Sequence, residues 1–273
     1  MSTAHADGRL DLRRWASRLW DAVRINVPLW WVLAWTGVLW VLLPWRKTFT
    51  TDDLPGSAVL EQHAADIRAE LDVLLAEREA IPGFHEVDPG QRRLSDSRRW
   101  QVFVLRFYGL DVEANRQRCP KTAAALDQVP DVHTAFFSIF EPHTGLPRHT
   151  GAVKGIVRYH LGLIVPDSPD CWIEIGGQRH HWEEGKTLIF DDTFIHRARN
   201  DTDETRVVLF VDLVRPMPWP WLDRANRRML DRLARSTRIT DPVARAARFA
   251  DSPPVDFADN PPVDFADNPP VER

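Results

Sequence analysis

The chain has 273 residues, 44% of them hydrophobic and 27% charged, with a formal net charge of −4. That balance excludes a wholly disordered chain, and the acidic sign argues against nucleic acid as the main partner, because phosphate binders carry a basic excess. Two cysteines, Cys119 and Cys171, exclude a disulfide scaffold and a four-cysteine zinc site; reduced thiols in a cytosolic compartment are the simplest reading.

Residues 1–26 form a basic N-terminal segment. Within it Leu12, Trp15, Leu19 and Val23 recur at helical spacing among Arg13, Arg14, Arg18 and Arg24, a pattern that suits an anionic lipid surface. Residues 27–45 carry no charge and hold Trp30, Trp31, Trp35, Trp40 and Trp45. As a helix this run reaches roughly 28 Å, about the hydrocarbon thickness of a bilayer. A transmembrane or membrane-anchoring helix is expected there; Pro28 and Pro44 leave an interfacial or re-entrant segment open. The run lacks a small-residue cleavage site, which argues against a removable signal.

Residues 46–99 read as a helical linker leading into the domain. Leu60, Ala64, Ile67, Leu71 and Leu74 predict a helix within 56–79. Over 100–218 the pattern changes to short strands at 101–105, 135–140, 155–164, 171–175, 186–190 and 206–213, rich in β-branched and aromatic residues. Gly176-Gly177 predicts a hairpin turn into a strand over 178–182, and 200–203 another turn. The expected fold is mainly β, a double-stranded β-helix (jelly roll) with flanking helices. Residues 219–250 return to helix with an arginine excess. Residues 251–273 repeat the acidic, proline-rich unit PPVDFADN and are expected to build no core.

His149 and His196 stand at expected strand ends, where a jelly roll gathers ligands at its mouth. Neutral imidazoles suit Fe(II), but the usual non-haem iron site adds a carboxylate two residues after the first histidine, and here that residue is Gly151. Spacing alone therefore leaves a metal pair and two structural histidines both open. In the strand Val157-Arg-Tyr-His-Leu, Arg158 and His160 share a face. Arg206 opens another strand, and Ser138 is a polar residue within Phe136-Phe-Ser-Ile-Phe. Whether these face the core or solvent is open from pattern alone.

The stretch from Trp100 to Met217 resembles the aspartyl/asparaginyl β-hydroxylase family of iron(II)/2-oxoglutarate dioxygenases. The matching segments are His149-Thr-Gly, Arg158-Tyr-His-Leu-Gly-Leu, Trp182-Glu-Glu-Gly-Lys, Phe190-Asp-Asp-Thr-Phe-Ile-His, and Arg206-Val-Val-Leu-Phe-Val-Asp with Arg215-Pro, in the family's order. The apolar N-terminal run, Cys119-Pro-Lys-Thr and the tail after Arg215 resemble the subfamily that hydroxylates acyl chains of lipid A or ornithine lipids. The resemblance implies His149 and His196 as iron ligands, with a glycine at 151 that the family tolerates. It implies Arg206 and Ser138 at the distal carboxylate of 2-oxoglutarate, Arg158 and His160 reaching the same cosubstrate, and Trp100 as an active-site tryptophan. Asp192 would orient a ligand from behind.

These expectations add up to a membrane-anchored dioxygenase using Fe(II), 2-oxoglutarate and O2 to hydroxylate a C–H bond. The acceptor is a membrane lipid acyl chain or, alternatively, an Asp or Asn side chain of a peptide. A non-enzymatic jelly-roll binding module and a membrane scaffold are the other readings. The expected location is the inner (cytoplasmic) membrane with the catalytic domain facing the cytosol, where Fe(II) and 2-oxoglutarate are available.

Overall fold

The computed structural model describes residues 29–250; the expected amphipathic helix before residue 28 and the repeat tail after 250 lie outside the described residues. The chain runs through α1 (Leu29–Leu42), β1 (Thr48–Phe49), α2 (Val59–Gln62), α3 (Ala64–Leu75), α4 (Phe84–Val87), β2 (Trp100–Phe107), β3 (Leu110–Asp111), α5 (Glu113–Arg118) and α6 (Pro120–Asp127). It continues with β4 (Val132–Phe140), β5 (Thr144–His149), β6 (Ile156–Ile164), β7 (Cys171–Ile175), β8 (Gln178–His180), β9 (Thr187–Phe190), β10 (His196–Asn200), β11 (Arg206–Val214), α7 (Pro220–Ala234) and α8 (Thr237–Ala250).

The strands form two antiparallel sheets, one ordered β1-β9-β6-β11-β4-β2-β3 and the other β5-β10-β7-β8. This is a jelly-roll sandwich, as expected, with helices outside. Period-two alternation sorts the larger sheet into two faces. On its outer face Phe137, Ile139, Val157, Tyr159, Leu161, Val207, Leu209 and Val211 form one apolar cluster with Leu60, Ile67, Leu71 and Leu74. The stripe expected within 56–79 is thus the buried side of two helices, α2 and α3, which break at His63 (φ −96°, ψ 10°). On the inner face Trp100, Phe136, Phe140, Phe190, Val208 and Phe210 pack against Ile173 and Ile175 of the smaller sheet. The Gly176-Gly177 turn is as expected, with φ of 52° and 86°, a left-handed conformation that glycine adopts freely.

The helix expected within 27–45 forms as α1; a membrane span is not shown for it. Among the described residues no helix is long and apolar enough to cross a membrane. The described part of α1, 14 residues, is about 21 Å long. It is also docked. Val32, Thr36, Leu39 and Leu43 are buried at spacings of four, three and four. Trp35 Nε1 donates to Asn226 Oδ1 (3.1 Å), and Thr36 Oγ1 donates to the carbonyl of Ala152 (2.7 Å). A charge-free run carries no sign of which side packs, so length alone pointed to a span.

Candidate active site

His149 ends β5 and His196 opens β10, and the two are direct register partners across neighbouring strands. Their ring centroids lie 4.1 Å apart. Each Nδ1 faces a backbone carbonyl two residues earlier, Pro147 O at 2.8 Å and Phe194 O at 2.9 Å. A carbonyl only accepts, so each Nδ1 carries the hydrogen and each Nε2 keeps a lone pair. Burial, and then the neighbouring His196, push His149 down to about 4; burial and then Arg158 do the same to His196. Both imidazoles are neutral at pH 7. Among the described residues no group of three or more His, Cys, Asp and Glu side chains converges; what converges is this pair.

Gly151 explains the missing third ligand. A Cβ there would lie 2.0 to 2.4 Å from the carboxylate atoms of Asp192. Asp192 therefore fills, from the next loop, the space a side chain at 151 would need. Its Oδ2 faces Arg158 at 3.0 Å, while its buried Oδ1 finds no hydrogen-bond partner among the described residues.

The two inner-face arginines differ. Arg158 is held by Asp212 (3.0 Å) as well as Asp192. Arg206 is buried between aromatic planes, 3.8 Å from the Phe140 ring centroid and 4.6 Å from that of Trp182. Its one hydrogen bond is long, NH1 to Ser138 O at 3.4 Å, and its Nε has none. Burial lowers its pKa to about 10, so it stays charged at pH 7 without a counter-ion among the described residues. Beside it Trp100 Nε1 donates to Ser138 Oγ (3.1 Å), which leaves the serine hydrogen free to donate elsewhere. Trp182 Nε1 donates to His160 Nδ1 (3.2 Å), so Nδ1 is the acceptor and His160 is neutral with its hydrogen on Nε2. That Nε2 is buried and unpartnered. His160 bridges the two ends of the site, its ring 5.2 Å from Phe190, which in turn lies 5.6 Å from His196.

The residues singled out in the sequence, Trp100, Ser138, His149, Arg158, His160, Asp192, His196 and Arg206, thus meet on or beside one interior surface. A second network was not read from sequence. Lys154 and Asp191 are fully buried and paired at 2.7 Å, Arg215 also pairs with Asp191, and the Trp40 ring of α1 caps the Lys154 ammonium at 3.4 Å. Asp191 Oδ1 accepts from Thr193 N and Oγ1, fixing the turn that delivers His196. The Asp191-Asp192 pair in a strand-ending turn was the visible signal; Lys154 gave none.

A sequence model of the family described as aspartyl/asparaginyl beta-hydroxylase matches residues 61–216. The chain belongs to this family. Its members are hydroxylases by description, and the matched stretch holds the whole interior surface above. The ornithine lipid ester-linked acyl 2-hydroxylase of Rhizobium tropici is 44% identical over 173 residues, 63% of this chain and 62% of that protein. The aspartyl/asparaginyl beta-hydroxylase of Homo sapiens is 33% identical over 133 residues, 47% of this chain and 17% of that protein. The chain thus spans less than two thirds of either relative. Among solved structures, a Pseudomonas putida prolyl-4-hydroxylase overlaps with a TM-score of 0.38 at 16% identity, covering 68% of this chain and 100% of that one; so loose a likeness carries no argument.

Proposed function

We propose that this hydroxylase depends on Fe(II) and 2-oxoglutarate and hydroxylates the acyl chain of a membrane lipid, working at the cytosolic face of the membrane. The single observation that carries the cosubstrate is Arg206, a charged guanidinium buried without a carboxylate partner. Such a group is costly unless a ligand supplies the anion. A dicarboxylate fits: Arg206 and the free hydroxyl hydrogen of Ser138 would hold its far end, and His160 Nε2–H donates toward the near end. The guanidinium fork matches a carboxylate in a way lysine cannot.

The donor set fits a divalent iron. Two neutral imidazoles with Nε2 lone pairs would hold it, and their Nδ1–H bonds to backbone fix tautomer and orientation. When bound, iron with 2-oxoglutarate and O2 supplies oxidative decarboxylation to succinate and CO2 coupled to C–H hydroxylation. The protein contributes position and exclusion of water. Phe140 and Trp182 shield Arg206, Phe190 stands between His160 and His196, and Asp192 sets a carboxylate beside the histidine pair without occupying residue 151.

The lipid acceptor is supported by the name of the Rhizobium relative and by the surroundings of the pair. Arg148 and Arg197 both spend their charge on Glu174, while Ile195, next to His196, is exposed. An Asp acceptor would need a free cation at the mouth, and exposed Arg93, which acts on His149, is the one such a peptide would have to use. The test is succinate formation by the purified protein with Fe(II), 2-oxoglutarate and ornithine lipid in mixed micelles, with mass spectrometry of the lipid. A 16-Da gain on an acyl chain that His149→Ala abolishes is expected. Full turnover in His149→Ala overturns the metal assignment, and succinate coupled to an acidic peptide but not to lipid overturns the acceptor.

A further inference from the structure

We infer that the outward face of α1, with Trp219, Trp221 and the arginine stripe of α7, is a seat on the surface of an anionic bilayer, and that α1 lies flat in the headgroup layer instead of crossing it. The buried side of α1 ties it to the domain. The other side presents Trp30, Trp31, Leu33, Val38, Val41 and Trp45, of which Val41 is 85% and Trp45 76% exposed. Leu222 of α7 packs with Leu39 and Leu43, bringing the start of α7 against α1. Trp219 and Trp221, just before Leu222, stack at 6.0 Å and are exposed. Scattered surface hydrophobics are ordinary, but a continuous apolar face marks an interaction site. Tryptophan is the side chain that favours the membrane–water interface.

Charge decides the occupant. Exposed Arg224, Arg228 and Arg232 follow Trp221 along one side of α7 and make no ion pair among the described residues. Arg227, by contrast, is held by Asp131 at 2.6 Å and Asp223 at 2.8 Å. A second copy of the chain would set these free guanidinium groups against their own kind. Lipid phosphates pair with them while the tryptophans and aliphatics enter the acyl boundary. The seat adjoins the site: Trp40 of α1 meets Phe194 edge-on at 4.9 Å, two residues before His196.

The seat stands apart from the lipid-hydroxylase reading, because vesicle binding needs no turnover. The full chain is mixed with phosphatidylcholine vesicles, with and without phosphatidylglycerol. Fluorophores are placed through Leu33→Cys, Val38→Cys and Val41→Cys, singled out for labelling because Cys119 and Cys171 are buried. Salt-sensitive binding to the anionic vesicles is expected, with all three probes at one shallow depth against quencher lipids. Leu33→Glu with Val41→Glu lowers partitioning about tenfold or more, and Arg224→Glu with Arg228→Glu removes the anionic preference, while circular dichroism and uncoupled succinate formation stay unchanged. A Val38 probe at the bilayer centre, unaltered partitioning in the Glu pair, or a dimer that this pair dissolves would each overturn the seat.

Discussion

The two faces of the seven-stranded sheet come from the same strands and obey opposite rules. On β11, Val207, Leu209 and Val211 look outward into a wholly apolar cluster, while Arg206 and Asp212 look inward beside Phe210. The outer face holds few polar side chains: Tyr159 donates its hydroxyl to Ser57 O (3.3 Å), and Gln101 donates to Ile81 O (3.0 Å) with its Oε1 left over. The inner face keeps Arg206 Nε, His160 Nε2 and Asp192 Oδ1 buried without partners. One layer of residues holds the fold, and its alternates give up stability to keep groups ready for a ligand.

The sharpest way to break that contrast is a pair of substitutions on neighbouring registers of β11. Leu209→Ala on the outer face should cost about 2–5 kcal/mol of stability and leave the KM for 2-oxoglutarate unchanged. Arg206→Met on the inner face should do the reverse. Removing an unpaired buried charge should stabilise the ligand-free protein by about 1–3 kcal/mol, while the KM for 2-oxoglutarate rises about 30-fold or more. Denaturant melts and steady-state kinetics read both. If Arg206→Met destabilises the ligand-free protein and spares KM, Arg206 is structural and the contrast fails.

The legibility of the sequence follows the same division. Strands β2, β4, β6, β7 and β11 have both faces buried over most of their length, so their apolar density shows them. Strands β5 (TGLPRH) and β10 (HRARN) carry the histidine pair and little that is apolar; β5, an edge strand, even tolerates Pro147. Neither is expected as a strand, because so few of their residues are apolar. For the histidine pair the family resemblance is the signal, since Gly151 breaks the usual carboxylate spacing. The structure gives the reason for the glycine: the Asp192 carboxylate, four residues before His196, occupies the space that a side chain at 151 would need. The docking of α1 through Thr36 and Trp35 was invisible for a related reason, since two polar groups within an apolar run look incidental until their partners are known.

A smaller effect tests how far the histidine pair depends on that docking. Thr36 donates to Ala152 O and accepts from Lys154 N (3.2 Å), both in the loop that follows His149. Thr36→Val keeps the shape and strands both backbone groups, which should cost about 1–3 kcal/mol. Because the loop behind a ligand sets its orientation, Fe(II) affinity should fall about tenfold. Titration with Fe(II) under anaerobic conditions measures it. Unchanged affinity would mean that β5 alone positions His149, and that α1 serves the membrane seat without supporting the site.

The effect that touches activity least concerns acid. His133 lies on β4, buried, with its ring 5.0 Å from that of Tyr108 and its Nε2 unpartnered. Burial lowers its pKa to about 4 from the ordinary 6.5, against the opposing pull of Asp212. Between those values the unfolded chain binds the proton and the folded chain refuses it. Stability from this group is therefore full above pH 6.5, is lost as pH falls toward 4, and changes no further below that. The loss is on the order of 3 kcal/mol. His133→Gln should flatten this part of the stability profile between pH 6.5 and 4 while leaving succinate formation at pH 7 intact, because the residue faces Tyr108 and not the histidine pair. A profile as steep in the variant as in the parent would assign the acid loss to His149, His196 and His160, and would place the weak point of the fold in its ligand-ready interior.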